Sequence, residues 1–327
     1  MNVPTWVWLA TVGAATAFLL VDVFIIGRRP HEPSTGEAAR HLGFFVAAAV
    51  LFGLGIWVFA GGQFAAEYYA GWLTEYSLSV DNLFIFLIIM GKFGVPRHLQ
   101  QSALLVGIIL ALIFRGVFIA LGAAVINNYS WVFYLFGLFL VYTAIHLARE
   151  GEADEDDFHE NALIRFTRTH LSATGEYHGT KLTVVQNGKR LITPMLLVLI
   201  ALGTTDLLFA LDSIPAIYGL TQEPYLVLMA NIFALMGLRQ LYFLIGGLLK
   251  RLVYLNLGLA FLLLFIGVKL VLHALHENEV PFINGGEHVT WAPEIPIWLS
   301  LLVIVGTLAI TAVLSLAKTR RDTRSAL

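Results

Sequence analysis

The stretch TEYSLSVDN, residues 74–82, lies inside an apolar run from 70 to 92 that is long enough to cross a bilayer, yet it carries Glu75 and Asp81. Insertion scales put a charged residue near the bilayer centre at about 2.5–3.5 kcal/mol, so such a residue faces the bundle interior and marks a functional position. The same feature recurs in DLLFALDS, residues 206–213, where Asp206 and Asp212 repeat the order acid, five residues, acid. Facing lipid in ionised form, the four acids would cost on the order of 10 kcal/mol. How the chain hides them decides its fold.

The surrounding sequence is that of a membrane protein. Of 327 residues, 58% are hydrophobic and 13% charged, with a mean hydropathy of +0.79, far from the composition of a soluble domain. The lipid bilayer is therefore the expected surrounding. A net charge of −2 supplies no basic surface for phosphates, so no nucleic-acid partner is expected. The chain has no cysteine, which leaves only oxygen and imidazole as metal ligands. The N-terminal MNVPTW lacks a basic region and a cleavage pattern, so it reads as the start of a retained first span of a full-length chain.

Runs able to cross roughly 30 Å of hydrocarbon fall at 5–27, 41–60, 70–92, 102–126, 131–148, 193–220, 224–247, 251–276 and 295–317. The expected fold is thus an all-α polytopic membrane protein of nine transmembrane helices in a single domain. All but three of the 20 basic residues lie in alternate connections, and GGQFAAEYY, NNYS, TQEPY and HENEVPFINGGEHVTWAPE carry none. The bias of Lys and Arg toward the cytoplasm places the N-terminus outside and the C-terminus inside a plasma or inner cell membrane. The acidic segment EGEADEDDFHE in the loop 149–190 lacks the spacing of a calcium loop and reads as a solvated linker, not a metal-collecting segment.

The two acidic motifs belong to an internal repeat. A shift of 131 residues sets Glu75 against Asp206, Asp81 against Asp212 and Asn82 against Ser213. After a shorter loop Arg115 and Gly122 meet Arg239 and Gly246, and His146 meets Lys269. Spans 3–5 (about 70–148) thus repeat as spans 6–8 (about 193–276). An odd number of spans turns the second unit over, giving two inverted three-helix repeats, an arrangement that places substrate sites near the midplane. Acids six residues apart on a straight helix point about 120° apart and sit roughly 9 Å apart along the axis. Convergence on one ion therefore predicts a bent or broken helix, through Pro215 in the second motif or Ser77 and Ser79 in the first.

Four carboxylates with Asn82 and Ser213 form an oxygen-rich set suited to hard or borderline dications such as Mn²⁺, Mg²⁺ or Ca²⁺. Ser79 and Thr205 flank it. Arg115, Arg239 and Lys269, the three basic residues inside spans, read as ion-pair or gating groups, since a guanidinium cannot ligate a cation. For Asp22, a single acid in span 1, a packing ion pair and a gating role weigh evenly.

TEYSLSVDNLFIF, DLLFALDSIPAI and ANIFALMGLRQLYFLI resemble the signature segments of the TerC family, membrane proteins named for tellurium resistance, and are most similar to its Alx-like branch. The resemblance implies a nine-span fold of the lysine-exporter superfamily and, from characterised relatives, export of manganese. It implies that Glu75, Asp81, Asp206 and Asp212 form the acidic site with Asn82, Ser213 and Asn231 nearby. A tellurite oxyanion would be repelled by four acids. The reading is a secondary exporter of divalent cations, Mn²⁺ foremost, with protonation from outside releasing the ion; no ATP-binding motif is present. A non-transporting membrane partner, for metal loading of secreted proteins or for tellurium and stress resistance, is the alternative. An intramembrane hydrolase using two aspartates is the weakest reading, and no enzymatic activity is expected.

Overall fold

The computed structural model describes residues 3–28, 34–126, 129, 131–150, 174–186, 189–245, 253–281, 283–289 and 291–325. It is built from α1 (Thr5–Arg28), α2 (Thr35–Ala60), α3 (Gly62–Lys92), α4 (Arg97–Ile126), α5 (Val132–Glu150), a hairpin of β1 (Thr183–Gln186) and β2 (Lys189–Ile192), α6 (Pro194–Tyr218), α7 (Pro224–Met236), α8 (Leu238–Ile245), α9 (Leu255–His276) and α10 (Ile297–Ser325). Among the described residues, eight helical segments are long and apolar enough to cross a membrane, with α7 and α8 counted as one segment (Pro224–Leu244); α1 adds the apolar stretch Thr5–Phe18. The protein is thus an all-α polytopic membrane protein, and each of the nine apolar runs falls on a helix.

Several boundaries differ from the sequence reading. GGQFAAEYY is not a loop, because α2 passes to α3 through Gly61 alone, at φ +104°, a conformation that glycine adopts without a Cβ clash. The serine before α2 starts that helix earlier than hydropathy does: the Ser34 hydroxyl accepts the Glu37 N–H at 3.2 Å, an N-cap that satisfies one orphan donor. Part of the loop 149–190 is ordered as the β-hairpin, with Val184 opposite Leu191. The Tyr177 hydroxyl donates to the Phe93 carbonyl at 2.8 Å and Thr193 donates to the Lys181 carbonyl at 2.6 Å, which ties the hairpin to the end of α3. Burial pushes the Tyr177 phenol up to about 12, so it remains a donor at neutral pH. EGEADEDDFHE lies outside the described residues apart from the backbone of Glu150.

The expected break at the acidic motifs does not occur. Both α3 and α6 are continuous helices. Pro215 stands in the last turn of α6, and the helix runs through it to Tyr218. The interruption falls instead in span 7, at Gly237 between α7 and α8, immediately before Leu238 and Arg239.

The bundle interior is set by close approaches at small residues, the means by which membrane helices pack without a solvent-driven force between them. A Cβ at Gly137 of α5 would meet the Gly267 carbonyl at 2.8 Å and Val271 Cγ2 at 2.7 Å; one at Gly267 of α9 would meet the Gly137 carbonyl at 2.9 Å and Val141 Cγ2 at 3.0 Å. The contact is reciprocal, and Gly137 to Val271 with Val141 to Gly267 makes the two helices antiparallel.

Elsewhere α3 packs on α7, α4 on α6, and α3 against α6. Glu67 meets Thr221 and Gly71 approaches Ile217, so α3 and α6 run antiparallel. Tyr218 at the end of α6 lies on Gly122 and donates its hydroxyl to the Ile119 carbonyl at 2.7 Å, joining α6 to α4. Large side chains such as Trp57, Phe59, Trp298 and Leu302 remain exposed on α2 and α10, as expected for surfaces whose solvent is lipid.

Candidate ion-binding site

Glu75 on α3 and Asp206 on α6 are buried where the apolar clusters of the two halves meet. Residues 195–202 of α6 belong to one cluster and 210–218 to another, with Asp206 between them. Their partner is Arg115 of α4, which is 1% exposed. Its Nη1 contacts Glu75 Oε1, while Nη2 and Nε reach Asp206 Oδ1 at 3.3 Å and Oδ2 at 3.5 Å. Such side-on bidentate pairing fixes direction as well as charge. Nη1 also donates to Asn231 Oδ1 of α7 at 3.2 Å, and the Asn231 amide is oriented by its own bond from Nδ2 to the Val227 carbonyl at 3.0 Å. Ser79 donates to Glu75 Oε1 at 3.4 Å. Four helices thus meet on one guanidinium.

Two carboxylates against one guanidinium leave a residual negative charge in a region without bulk water. Glu75 Oε2 and Ser213 Oγ are buried with no hydrogen-bond partner. Such groups are costly to bury unpaired and have the chemistry of oxygen ligands.

The remaining sequence-selected acids lie on the same two helices as the central pair. Asp212 is partly buried and lies six residues beyond Asp206, about 9 Å along α6. Asp81 lies the same distance beyond Glu75 on α3, with its side chain outside the described ones, and Asn82 beside it is buried. Glu67 with Thr221 and Gly71 with Ile217 set the antiparallel register of α3 and α6, which brings Asp212 about level with Tyr76 and Asp206 about level with Asn82. Among the described residues no three His, Asp or Glu side chains gather as a metal-holding group. The physical reason is the unbroken helices: regular geometry cannot turn acids six residues apart toward one point. Thr205 is partly buried and Arg239 on α8 is buried; the side chain of Asp22 on α1 lies outside the described ones.

Lys269 is not at the central pair. It lines a cavity of about 420 Å³ where α6 ends, together with Glu67, Tyr218, Thr221, His273 and Glu294. Thr221 Oγ1 donates to Glu67 Oε2 at 2.7 Å, and Gln222 Nε2 lies 2.7 Å from His273 Nε2. Glu67 stands eight residues before Glu75, about 12 Å along α3. Sequence reading missed Glu67 because it lies within GGQFAAEYY, taken as a connection, and His273 because it stands at the end of the apolar run 251–276. The signal available was the uninterrupted apolar periodicity from 62 into 70–92.

A many-span helical membrane protein with a charged network at the core of its bundle is the class these observations define. Residues 60–323 match the profile of the Integral membrane protein TerC family, and the chain belongs to that family. It is 48% identical over 330 residues to the uncharacterized membrane protein Rv2723 of Mycobacterium tuberculosis, covering 100% of this chain and 83% of the relative. It is 34% identical over 313 residues to the uncharacterized membrane protein STKORF319 of Myxococcus xanthus, covering 96% and 92%. It is also 34% identical over 317 residues to the putative membrane-bound redox modulator Alx of Escherichia coli, covering 94% and 93%. No solved structure matches the chain.

Proposed function

We propose that the protein is a secondary exporter that carries divalent cations, Mn²⁺ foremost, out of the cytoplasm through the buried acids centred on Glu75 and Asp206. The observation that carries this reading is a fully buried carboxylate pair from two helices, with unpartnered ligand oxygens beside it. Intramembrane acids of this kind mark ion pathways. The ion would engage the central pair, with Asp81 and Asp212 on the same two helices assisting, and leave through the cavity lined by Glu67 and Lys269. A carboxylate that takes up a proton gives up its hold on a metal, so proton entry from the cavity side supplies both release and coupling. The reading takes spans 3–5 and 6–8 as inverted repeats, supported by the antiparallel pairs α3 with α6 and α5 with α9 and by the reciprocal glycine contact.

The name carried by the Alx relatives suggests a redox role. This chain has no thiol, so a redox effect would follow from the metal content that the protein sets in the cell. The Arg115 bridge favours one rival, in which the network locks the helices and the chain serves as a non-transporting partner in metal loading or stress resistance. Cells under manganese stress separate the two. The wild-type protein is expected to lower cellular manganese, whereas Asp212→Asn and Asp81→Asn lower it at least fivefold less at equal membrane abundance. Mn²⁺ flux in proteoliposomes holding only this protein is expected from the exporter; its absence, with cellular protection retained, selects the partner reading.

A further inference from the structure

Arg115 occupies the position that suits a cation. Its guanidinium contacts carboxylate oxygens of Glu75 and Asp206 and the amide oxygen of Asn231, which are the oxygen types that ligate hard dications. The three partners come from α3, α6 and α7, and Arg115 itself comes from α4, so the contact spans both halves of the bundle. Glu75 has 0% exposure, and its Oε2 has no hydrogen-bond partner. That atom gives the site one ligand oxygen beyond those the guanidinium engages.

We propose that Arg115 is a tethered competitor for the transported dication: guanidinium and metal ion alternate on Glu75 and Asp206, and entry of the metal displaces Arg115. The inference rests on the exporter reading and assigns its central step. A bare carboxylate pair would bind a dication too firmly to release it and would be costly to bury while the carrier returns without cargo. An internal cation removes both difficulties. It weakens metal binding by competition, and it offsets half of the pair's charge during the return step. A water-sized or monovalent ligand would not dislodge a bidentate guanidinium, whereas a dication offers twice the charge to the same oxygens, so the competition also selects for divalent ions.

The test uses the purified full-length protein and Mn²⁺ alone, with bound metal read from loss of the free-ion electron paramagnetic resonance signal. Arg115→Met is expected to bind Mn²⁺ at least tenfold more tightly than wild type and to turn over at least tenfold more slowly in proteoliposomes. Arg115→Lys, which keeps the charge but loses the bidentate fork, is expected to be intermediate in both. In the unmodified protein, saturating Mn²⁺ is expected to shift the guanidinium stretching bands in infrared difference spectra. Affinity of a monodisperse Arg115→Met protein within threefold of wild type, or weaker, overturns the proposal. If neither variant folds, unshifted guanidinium bands in the metal-bound wild type overturn it. Wild-type protein that binds no Mn²⁺ overturns the exporter reading along with it, which distinguishes the two failures.

Discussion

Replacing Gly137 with leucine is expected to abolish folded protein, read as loss of the monodisperse peak in detergent and of any cooperative thermal transition. The site leaves no room for even the first carbon of a side chain. A Cβ there would lie 2.8 Å from the Gly267 carbonyl and 3.0 Å from the Val271 nitrogen, and both are backbone atoms that cannot swing aside. Relief requires α5 and α9 to separate, and with them the extensive contact along their length. Gly137→Ala and Gly267→Ala are expected to produce the same defect in milder form, because the contact is reciprocal. Gly55→Ala on α2 is the control: nothing lies within 4 Å of its Cβ position, and alanine is the better helix former by about 1 kcal/mol. Equal thermal stability of Gly137→Ala and Gly55→Ala would show that the crossing is looser than described.

The second large effect is expected from Asp206→Asn, which should eliminate Mn²⁺ flux and also lower stability. Removing one partner of a buried ion pair typically costs about 3–5 kcal/mol, because the other charge is left without compensation. That full cost is reduced here, because Arg115 keeps Glu75 as its charge partner and what it loses is the pair of hydrogen bonds from Nε and Nη2 to the Asp206 carboxylate. The double variant Asp206→Asn with Arg115→Met strands the buried Glu75 carboxylate instead, so it is expected to be less stable than the single variant while export stays absent. Thermal unfolding in detergent is therefore expected to rank wild type above the single variant and the single above the double, with flux in proteoliposomes lost in both. Retention of wild-type flux by Asp206→Asn would remove this residue from the ion path. Loss of flux with full stability would mean that Arg115 finds another partner when the carboxylate is gone.

Much of this organisation was legible in the residues. The nine apolar runs mark the helices because 20-residue hydrophobic segments have one stable form in a bilayer. Glu75 and Asp206 stood out because charge in such a segment is too costly to be incidental. Arg115 read as an ion-pair residue on similar grounds, although the identity of its partners did not follow from spacing. The bend was misplaced: Pro215 drew attention to α6, while the interruption lies at Gly237. Proline signals a break only where helix must continue on both sides of it.

By itself the sequence determined the membrane class, the helix count and which acids must be hidden, since each depends on the cost of moving local groups into hydrocarbon. Only the tertiary structure decided that Arg115 joins Glu75 to Asp206 and Asn231 and that α3 and α6 run antiparallel beside that network. Those features depend on where antiparallel helices cross, and the crossing is set by contacts between backbones such as Gly137 and Gly267, far apart in the chain.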